Sequence, residues 1–597
     1  MLSLLAMVIG LLAGAAAFLL LHFIALITNV ALFGRIGFEL PSFAELEPSP
    51  RLVLVPMAGA FLVACLAKWA PIIRGHGLPE AMEAVLRKQS RIQPRTAIAK
   101  PLSAAIAIGS GGPFGAEGPI IVTGGALGSL IGQVIDVSPS ERKILLASGA
   151  AAGMAATFGA PLAAVVLAIE LLLFEFSTRA FIPLVTATAL AAGVHAAVFG
   201  TGPLFTVPTH EFAGLDKLPF YVVLGLACGL LAKLINSGLF AFERGFERLP
   251  VGEFWHPVVG AAAFGTLGLL VPRALGVGYD AIDDILAGEL ALGALAALLI
   301  AKLVIWWIAL ASGTSGGTLA PILMISGAFG GILGILAGQL APGLGLTGGA
   351  FALVAMAATF GASTRATFTS IVFLFELTRD YEIILPLMLA SVVADLVAAW
   401  LMDDSIMTEK LTRRGVRVGS DYEPDVLGTT VVSEVMTADV ETLPWSGTAG
   451  EASRKMAAGR HSAYPLVDDD GRCVGIISRS DLLRGGIADD APLSEVSSTQ
   501  VVRVRRHDSL LTALQRMLEE GVDHLPVIEH GRLLGICTRS DILRARHHRF
   551  LLERPQRGWI SPMFQRAPSA KPSAGPTDGP TDGRPNGDRS RQQKARS

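Results

Sequence analysis

A single carboxylate, Glu117, interrupts a stretch of sequence that is otherwise uncharged. It is the only ionisable side chain between Pro101 and Ile135. A carboxylate in so apolar a segment is costly to keep, which indicates a function. Pro119 suits the first turn of a helix, and the free N–H groups of a helix start attract anions. Glu117 is therefore a tethered anion able to occupy such a site, and the alternative is a plain helix-capping carboxylate.

Two further segments repeat this arrangement of glycines, then proline, at the start of an apolar helix. They are Gly-His-Gly-Leu-Pro at residues 75–79 and Gly-Gly-Thr-Leu-Ala-Pro at residues 316–321. The segment at 316–321 has no carboxylate, so its N–H groups can serve a mobile anion. Three such starts without a basic side chain among them favour an anion that is weakly bound and permeating.

The elements that carry these segments are predicted to be membrane helices. Of the 597 residues 52% are apolar and 16% charged, whereas about 25% are charged in an ordinary soluble domain. No Asp, Glu, Lys or Arg occurs from Leu2 to Phe33 or from Leu303 to Thr364. Apolar stretches of this length predict many bilayer-crossing helices, with lipid as their surroundings, and exclude a soluble enzyme.

The membrane part contains an internal repeat with an offset of 202 residues. Residues 154–160, Met-Ala-Ala-Thr-Phe-Gly-Ala, recur identically at 356–362, and residues 110–128 match 312–330 at eight positions. Two halves interrupted by Gly and Pro at corresponding places are typical of transporters with inverted repeats and a substrate site near the bilayer midplane. The alternative, small residues that merely let helices pack closely, predicts no shared register.

These three segments resemble, in order and spacing, the selectivity motifs of the CLC family of chloride channels and proton–chloride exchangers. The resemblance covers about residues 1–415 and implies a homodimer with one pore per subunit, transporting chloride or a similar small anion. It also implies that Glu117 is the gating glutamate and that the amides of Thr318 and Leu319 help to hold the anion. The candidate anion-binding residues are Gly75, His76, Gly77, Pro79, Gly115, Ala116, Gly118, Gly317, Thr318, Leu319 and Met407.

Several positions depart from the family pattern. His76 replaces the usual serine, Ala116 replaces a frequent arginine, Leu319 replaces a phenylalanine, and Met407 stands where a pore-facing tyrosine is expected. These differences leave open which anion is preferred. His76 is interpreted either as a titrating group or as a histidine bonded to backbone.

The candidate proton-path positions are Glu170, Leu171 and Glu175. Exchangers of the family carry two adjacent acidic residues here, the second being the internal proton glutamate, whereas Leu171 is apolar. The sequence therefore predicts passive, channel-like conduction gated by Glu117. Proton-coupled chloride exchange, with Glu175 as a substitute relay, is the alternative, and a divalent-cation transporter with CBS modules is a more distant one.

A second repeat occupies the C-terminal part and resembles a pair of CBS modules. Residues 464–467 and 475–481 return as 525–528 and 535–541, each copy reading as helix, strand, tight turn, strand and helix. The resemblance implies adenine-nucleotide binding through Ser478 and Asp481 and through Thr538 and Asp541. A purely structural, dimer-forming role is the open alternative. No other cofactor, no metal and no nucleic-acid partner is expected.

Basic residues predict the orientation of the chain. One cluster runs from Arg87 to Lys100 and another from Lys410 to Arg417, and such clusters favour the cytoplasmic side. We therefore expect a multi-pass protein of the plasma (inner) membrane with cytoplasmic CBS modules. The predicted fold is an all-α polytopic membrane domain of two inverted repeats (1–403), then a linker (404–428). An α/β CBS pair (429–486 and 487–548) and a mostly disordered tail (549–597) follow.

Overall fold

The computed structural model divides the chain into two compact units, residues 1–423 and 424–597. The structure describes residues 1–135, 137–174, 176–205, 207, 214, 216–414, 427, 430–459, 461–483 and 487–545. The predicted tail, most of the predicted linker and Glu175 lie outside the described residues.

The first unit is helical, as predicted. Its helices are α1 (Leu2–Thr28), α2 (Arg51–Trp69), α3 (Leu78–Arg87), α4 (Pro94–Gly109), α5 (Glu117–Val134), α6 (Pro139–Phe158), α7 (Pro161–Ala168), α8 (Thr178–Phe199), α9 (Leu218–Glu247), α10 (His256–Gly268), α11 (Tyr279–Ala287), α12 (Leu292–Ala311), α13 (Leu319–Leu340), α14 (Gly348–Thr364), α15 (Thr367–Thr378), α16 (Ile384–Leu401) and α17 (Glu409–Arg413). Among the described residues, seven helices are long and apolar enough to cross a membrane.

Local sequence explains where these helices begin. Proline occupies the first turn of α4, α6, α7, α9 and α10, where its missing N–H is not needed. Ser138 and Glu141 form a capping box at the start of α6. Small residues let the helices approach closely: a Cβ at Gly124 would overlap with the Gly149 carbonyl of the facing helix.

The helices of the two halves pack in the same pattern. In the first half α1 contacts α4, α6 and α8, and in the second half α9 contacts α12, α14 and α16. The equivalent helices α2 and α10 contact each other, and so do α7 and α15. This arrangement is what a two-fold relation between the halves requires, and it agrees with the repeat read from the sequence.

The first unit extends beyond the boundary predicted at residue 403. Met407 and Leu411 are buried in its core. Lys410 pairs with Glu243 at 3.0 Å, and Arg414 pairs with Glu83 of α3. Residues 404–414 therefore belong to the membrane unit and are not a free linker.

The second unit has the predicted α/β pattern. Its elements are α18 (Val432–Val435), β1 (Leu443–Pro444), α19 (Ala449–Ala458), β2 (Ala463–Val467), β3 (Cys473–Ser478), α20 (Arg479–Leu482), α21 (Leu493–Val496), α22 (Leu510–Glu519), β4 (His524–Glu529) and β5 (Arg532–Thr538). β2 pairs antiparallel with β3 and β4 with β5, and β1 joins β2 in parallel. Gly471 and Gly531 take positive φ at the two hairpin turns.

The two copies in this unit pack against each other. The Cys473 N–H donates to the Gly531 carbonyl at 3.2 Å, and Thr437 pairs with Ile536 across the copies. Ser462 and His524 lie within hydrogen-bond distance at 3.1 Å. Burial lowers the pKa of His524, although the carboxylates of Asp523 and Asp541 oppose the shift.

Candidate functional site

The three predicted loops meet in the first unit through their backbones. The Gly317 N–H donates to the Gly115 carbonyl at 2.8 Å, and the Gly115 N–H donates to the Gly317 carbonyl at 3.3 Å. Gly75 forms a parallel bridge with Ser315. Gly115 and Gly317 are separated by the repeat offset of 202, so an antiparallel pair of equivalent residues marks the two-fold relation. The candidate functional site lies at this Gly115–Gly317 pair.

Glycine is required here because the backbones approach so closely. A Cβ at Gly118 would overlap with the His76 carbonyl oxygen. A Cβ at Gly317 would lie 2.6 Å from the Gly115 carbonyl oxygen and 2.9 Å from Glu117 Oε2. Both distances are shorter than normal contacts, so side chains are excluded and main-chain groups line the site.

Glu117 is the first residue of α5, and its side chain is 1% exposed. Its Oε1 accepts a hydrogen bond of 2.8 Å from the hydroxyl of Tyr279. A Cβ at Gly115 would overlap with Oε2, so this oxygen lies against the Gly115–Gly317 pair. The carboxylate therefore occupies the place where the three loops converge.

The helix starts around this point carry no side-chain caps in the described structure. This holds for α3 after Gly77, for α5 after Ala116 and for α13 after Thr318. The first N–H groups of a helix have no intrahelical partner. Free amides at converging helix starts can bind an anion or the Glu117 carboxylate.

Two buried lysines support the loops, which corrects the prediction of helix starts without basic side chains. Lys100 donates to the carbonyls of Ile73 and Gly75, both at 2.8 Å, and Lys302 donates to the Gly276 carbonyl at 2.8 Å. Each lysine is 0% exposed. Lys100 is therefore not part of an exposed basic cluster. The two residues are 202 apart, so the repeat register contained a signal that our sequence reasoning missed.

His76 and Met407 are both buried near the site. His76 is 2% exposed, and neither ring nitrogen makes a hydrogen bond of normal geometry within the described chain. The backbone of Ile406 interacts with the ring, so the titrating and the backbone-bonded interpretations of His76 both stay predictions. Met407 is 4% exposed, and its N–H donates to the Ser405 hydroxyl at 3.2 Å.

The candidate proton-path residues have different surroundings. Glu170 and Leu171 lie in a π-helical turn, Ile169–Leu173, that follows α7. Glu170 accepts bonds from the N–H groups of Phe368 (3.2 Å) and Thr369 (2.8 Å) and from the Thr369 hydroxyl, at the start of α15. Leu171 is buried, and Glu175 is outside the described residues.

Glu376 makes the equivalent contacts in the opposite direction. It accepts bonds from the N–H groups of Leu162 (3.0 Å) and Ala163 (2.8 Å) at the start of α7. Glu170 and Glu376 each lie nine residues after the start of their own helix. The two carboxylates thus cap each other's helices, and Glu170 has a structural partner that the sequence analysis did not foresee.

An open cavity of about 720 Å³ reaches the first loop. Its lining includes Gly75, Glu80, Ser312 and Lys410, together with ion-paired side chains such as Arg74 and Glu253. Solvent and ions can therefore approach Gly75 from the side on which Lys410 lies.

In the second unit, the predicted nucleotide residues form local caps. Asp481 Oδ2 accepts bonds from the N–H (2.9 Å) and the hydroxyl (2.7 Å) of Ser478. Asp541 Oδ2 accepts equivalent bonds from Thr538 at 2.9 and 2.6 Å. One oxygen of each aspartate is thus used at a helix start. Among the described residues no group of His, Cys, Asp and Glu could hold a metal ion.

A membrane unit of paired halves, with free helix starts around one carboxylate on their common axis, is an anion-transport architecture. The chain belongs to the family described as "Voltage gated chloride channel", whose sequence profile matches residues 58–399. The profile described as "CBS domain" matches residues 432–486 and 493–548. Family members transport anions and are not enzymes.

The similar proteins carry names that specify a mechanism. The H(+)/Cl(-) exchange transporter ClcA of Salmonella agona is 32% identical over 60% of this chain and 77% of its own. ClcA of Vibrio campbellii is 30% identical over 68% of this chain and 88% of its own. The crystal structure of a slow cyanobacterial Cl-/H+ antiporter is 26% identical, with a TM-score of 0.62, over 69% of this chain and 97% of that one. A eukaryotic CLC transporter, 19% identical with a TM-score of 0.57 over 90% of this chain and 97% of its own, shares the fold.

Proposed function

We propose that this protein exchanges chloride for protons across the membrane. The observation that carries the proposal is the position of the Glu117 carboxylate, with Oε2 against the Gly115–Gly317 pair. An ionised carboxylate and a mobile anion compete for the same free amides, because both are negatively charged and both accept hydrogen bonds from N–H groups. A protonated carboxylate leaves the amides to the anion. One side chain can thus link proton binding to anion passage.

The names of the similar proteins support exchange more than the passive conduction expected from Leu171. In this proposal the proton does not pass through residue 171, because an apolar side chain cannot carry charge through a low-dielectric interior. The cavity that reaches Gly75 and Glu80 supplies water on one side of the site. We take this cavity as the proton's route toward Glu117.

Passive conduction is the second candidate, and Leu171 is the observation that favours it. A buried leucine stands where exchangers of the family carry their internal glutamate. If Leu171 prevents coupling, Leu171→Glu is the change that restores it, unless the new carboxyl group stays protonated in its buried position.

The decisive experiment measures chloride and proton movement together in proteoliposomes. A chloride gradient is imposed without a pH gradient, and both ions are recorded. We expect the chloride gradient to drive proton movement at a fixed ratio to chloride and so to build up a pH difference, with no such movement in protein-free liposomes. Chloride flux without proton movement would instead establish the channel-like mechanism, and Leu171→Glu would then be measured in the same assay.

We further propose how the protein assembles, how it is oriented and which residues select the anion. The protein is a homodimer of the inner membrane, with its CBS pair in the cytoplasm and adenine nucleotide as the ligand of that pair. Exposed apolar side chains on α16, including Leu385, Val392 and Leu396, fit contact with lipid or with a second copy. His76 and Met407, which replace the serine and the tyrosine of the family, set the preference among small anions.

A further inference from the structure

A fourth loop, residues 276–279, repeats the construction of the first loop in the other half. Gly276 and Gly278 take positive φ, as Gly75 and Gly77 do. Tyr279 begins α11 just as Leu78 begins α3. Lys302 donates to the Gly276 carbonyl as Lys100 donates to the Gly75 carbonyl. The fourth loop is therefore the two-fold counterpart of the first, on the opposite side of the site.

The equivalent loops differ in the side chain that they present to the neighbouring helix start. Tyr279 of the second half bonds to Glu117 of the first half at 2.8 Å. The residues equivalent to this pair are Leu78 and Leu319, both buried and apolar. Of these two equivalent pairs, only the one that contains the carboxylate has a hydroxyl donor. A purely structural role of the aromatic ring would not require this hydroxyl.

We propose that Tyr279 is a positioning residue for Glu117, whose hydroxyl holds the carboxylate in the anion site and so sets how easily an anion displaces it. The proposal rests on anion transport through the Glu117 site and does not depend on proton coupling. Tyr279 is itself fixed by the fourth loop, which Lys302 supports. Its ring also lies edge-on to the buried Phe205, with centroids 6.3 Å apart.

Other charged groups surround this contact and do not duplicate it. Lys302 of α12 also faces Glu117, but its side-chain nitrogen donates to the Gly276 carbonyl. Asp280, which follows Tyr279, faces Arg273 at 3.9 Å and accepts a bond from Ser42. On the side of the first loop His76 approaches Gly118 through its carbonyl oxygen. In the described structure Tyr279 provides the one side-chain hydrogen bond to the Glu117 carboxylate.

The test is chloride flux from proteoliposomes between pH 4 and pH 8 for wild type and Tyr279→Phe. Tyr221→Phe is the matched control, because Tyr221 is also buried and packs on Phe351. A hydrogen bond to a charged group favours the ionised, site-occupying form. Its loss should raise flux near neutral pH about tenfold and move the half-maximal pH upward by about one unit. The control should match wild type.

The same change is then made in Glu117→Gln protein, where no ionised carboxylate remains to be held. Tyr279→Phe should have no further effect on the pH profile there. An unchanged profile in the single variant, or an equal shift in both backgrounds, would overturn the proposal. Absence of chloride flux in wild type would overturn the proposed function itself. Uncoupled flux in wild type would overturn exchange alone, and the Tyr279 readout would still apply.

Discussion

At the equivalent positions of its two halves the membrane unit carries a glutamate, Glu117, and a leucine, Leu319. The backbones around them are alike, because both residues begin a helix and both lie two positions after a glycine of the central pair. The shared backbone brings the Gly115–Gly317 pair together on the axis between the halves, where we propose the anion site. The side chains differ: the helix start of the first half carries a titratable carboxylate, and the equivalent helix start of the second half carries an apolar side chain.

The largest effect that tests this difference is expected for Glu117→Gln. A glutamine cannot ionise, so it does not compete with the anion as a charged ligand. We expect chloride flux to continue but to lose its pH dependence between pH 4 and pH 8, and proton coupling to disappear. The measurement is flux and external pH in proteoliposomes.

The matched control is Leu319→Met, a change of similar volume at the equivalent position. It should keep both the pH dependence and the coupling of wild type. If Glu117→Gln retained the wild-type pH profile, Glu117 would not be the gate, and the difference between Glu117 and Leu319 would not explain the pH dependence of transport.

Glu170 and Glu376 offer the opposite case, since both halves have the same residue with the same role. Each caps the helix of the other half through two N–H groups. Glu170→Gln and Glu376→Gln should therefore lower the stability of the protein by similar amounts, about 1 kcal/mol each. Thermal unfolding in detergent measures this loss.

Ion coupling separates the structural role of Glu170 from a role in proton movement. With a purely capping role, neither variant changes the ratio of chloride to protons. A changed ratio in Glu170→Gln but not in Glu376→Gln would return Glu170 to the proton path predicted from the sequence.

The sequence predicted those parts of the site that are coded locally. Glycines followed by proline identify the loops at 75–79, 115–119 and 316–321, because close backbone approach and a helix start each require particular residues at adjacent positions. The identical residues 154–160 and 356–362 identified the two halves. These features depend on neighbours in the chain, so the pattern of residue types is sufficient to find them.

The contacts that were missed join distant parts of the chain. Tyr279 lies 162 residues from Glu117, and Glu170 lies 199 residues from Thr369. Nothing in the local sequence around Tyr279 indicates a carboxylate partner. The repeat could have indicated the pair of lysines, Lys100 and Lys302, which are separated by the offset of 202, and also the fourth loop, because Gly276-x-Gly278 matches Gly75-x-Gly77 at an offset of 201. Which side chain meets which partner still depends on the three-dimensional packing.

The second unit also consists of two related copies, and the smallest of the expected experimental effects concerns this unit. Both copies use one aspartate oxygen to cap a helix, but Asp541 is buried to 7% exposure whereas Asp481 is partly exposed. Adenine nucleotide at tenfold above its dissociation constant would stabilise the unit by about 1.4 kcal/mol. We expect a rise of a few degrees in the unfolding temperature of a fragment of residues 426–548.

Asp481→Asn and Asp541→Asn distinguish the two roles of these residues, because asparagine can still accept the capping bonds but removes the charge available to ribose hydroxyls. Both variants should fold with little change in unfolding temperature in the absence of nucleotide, and each should reduce the shift that nucleotide causes. Asp470→Asn, at the exposed tip of the β2–β3 turn, is the control and should keep the full shift. If millimolar nucleotide leaves the wild-type unfolding temperature unchanged, Ser478, Asp481, Thr538 and Asp541 serve only as helix caps. The CBS pair then acts through packing between its copies and not through a ligand.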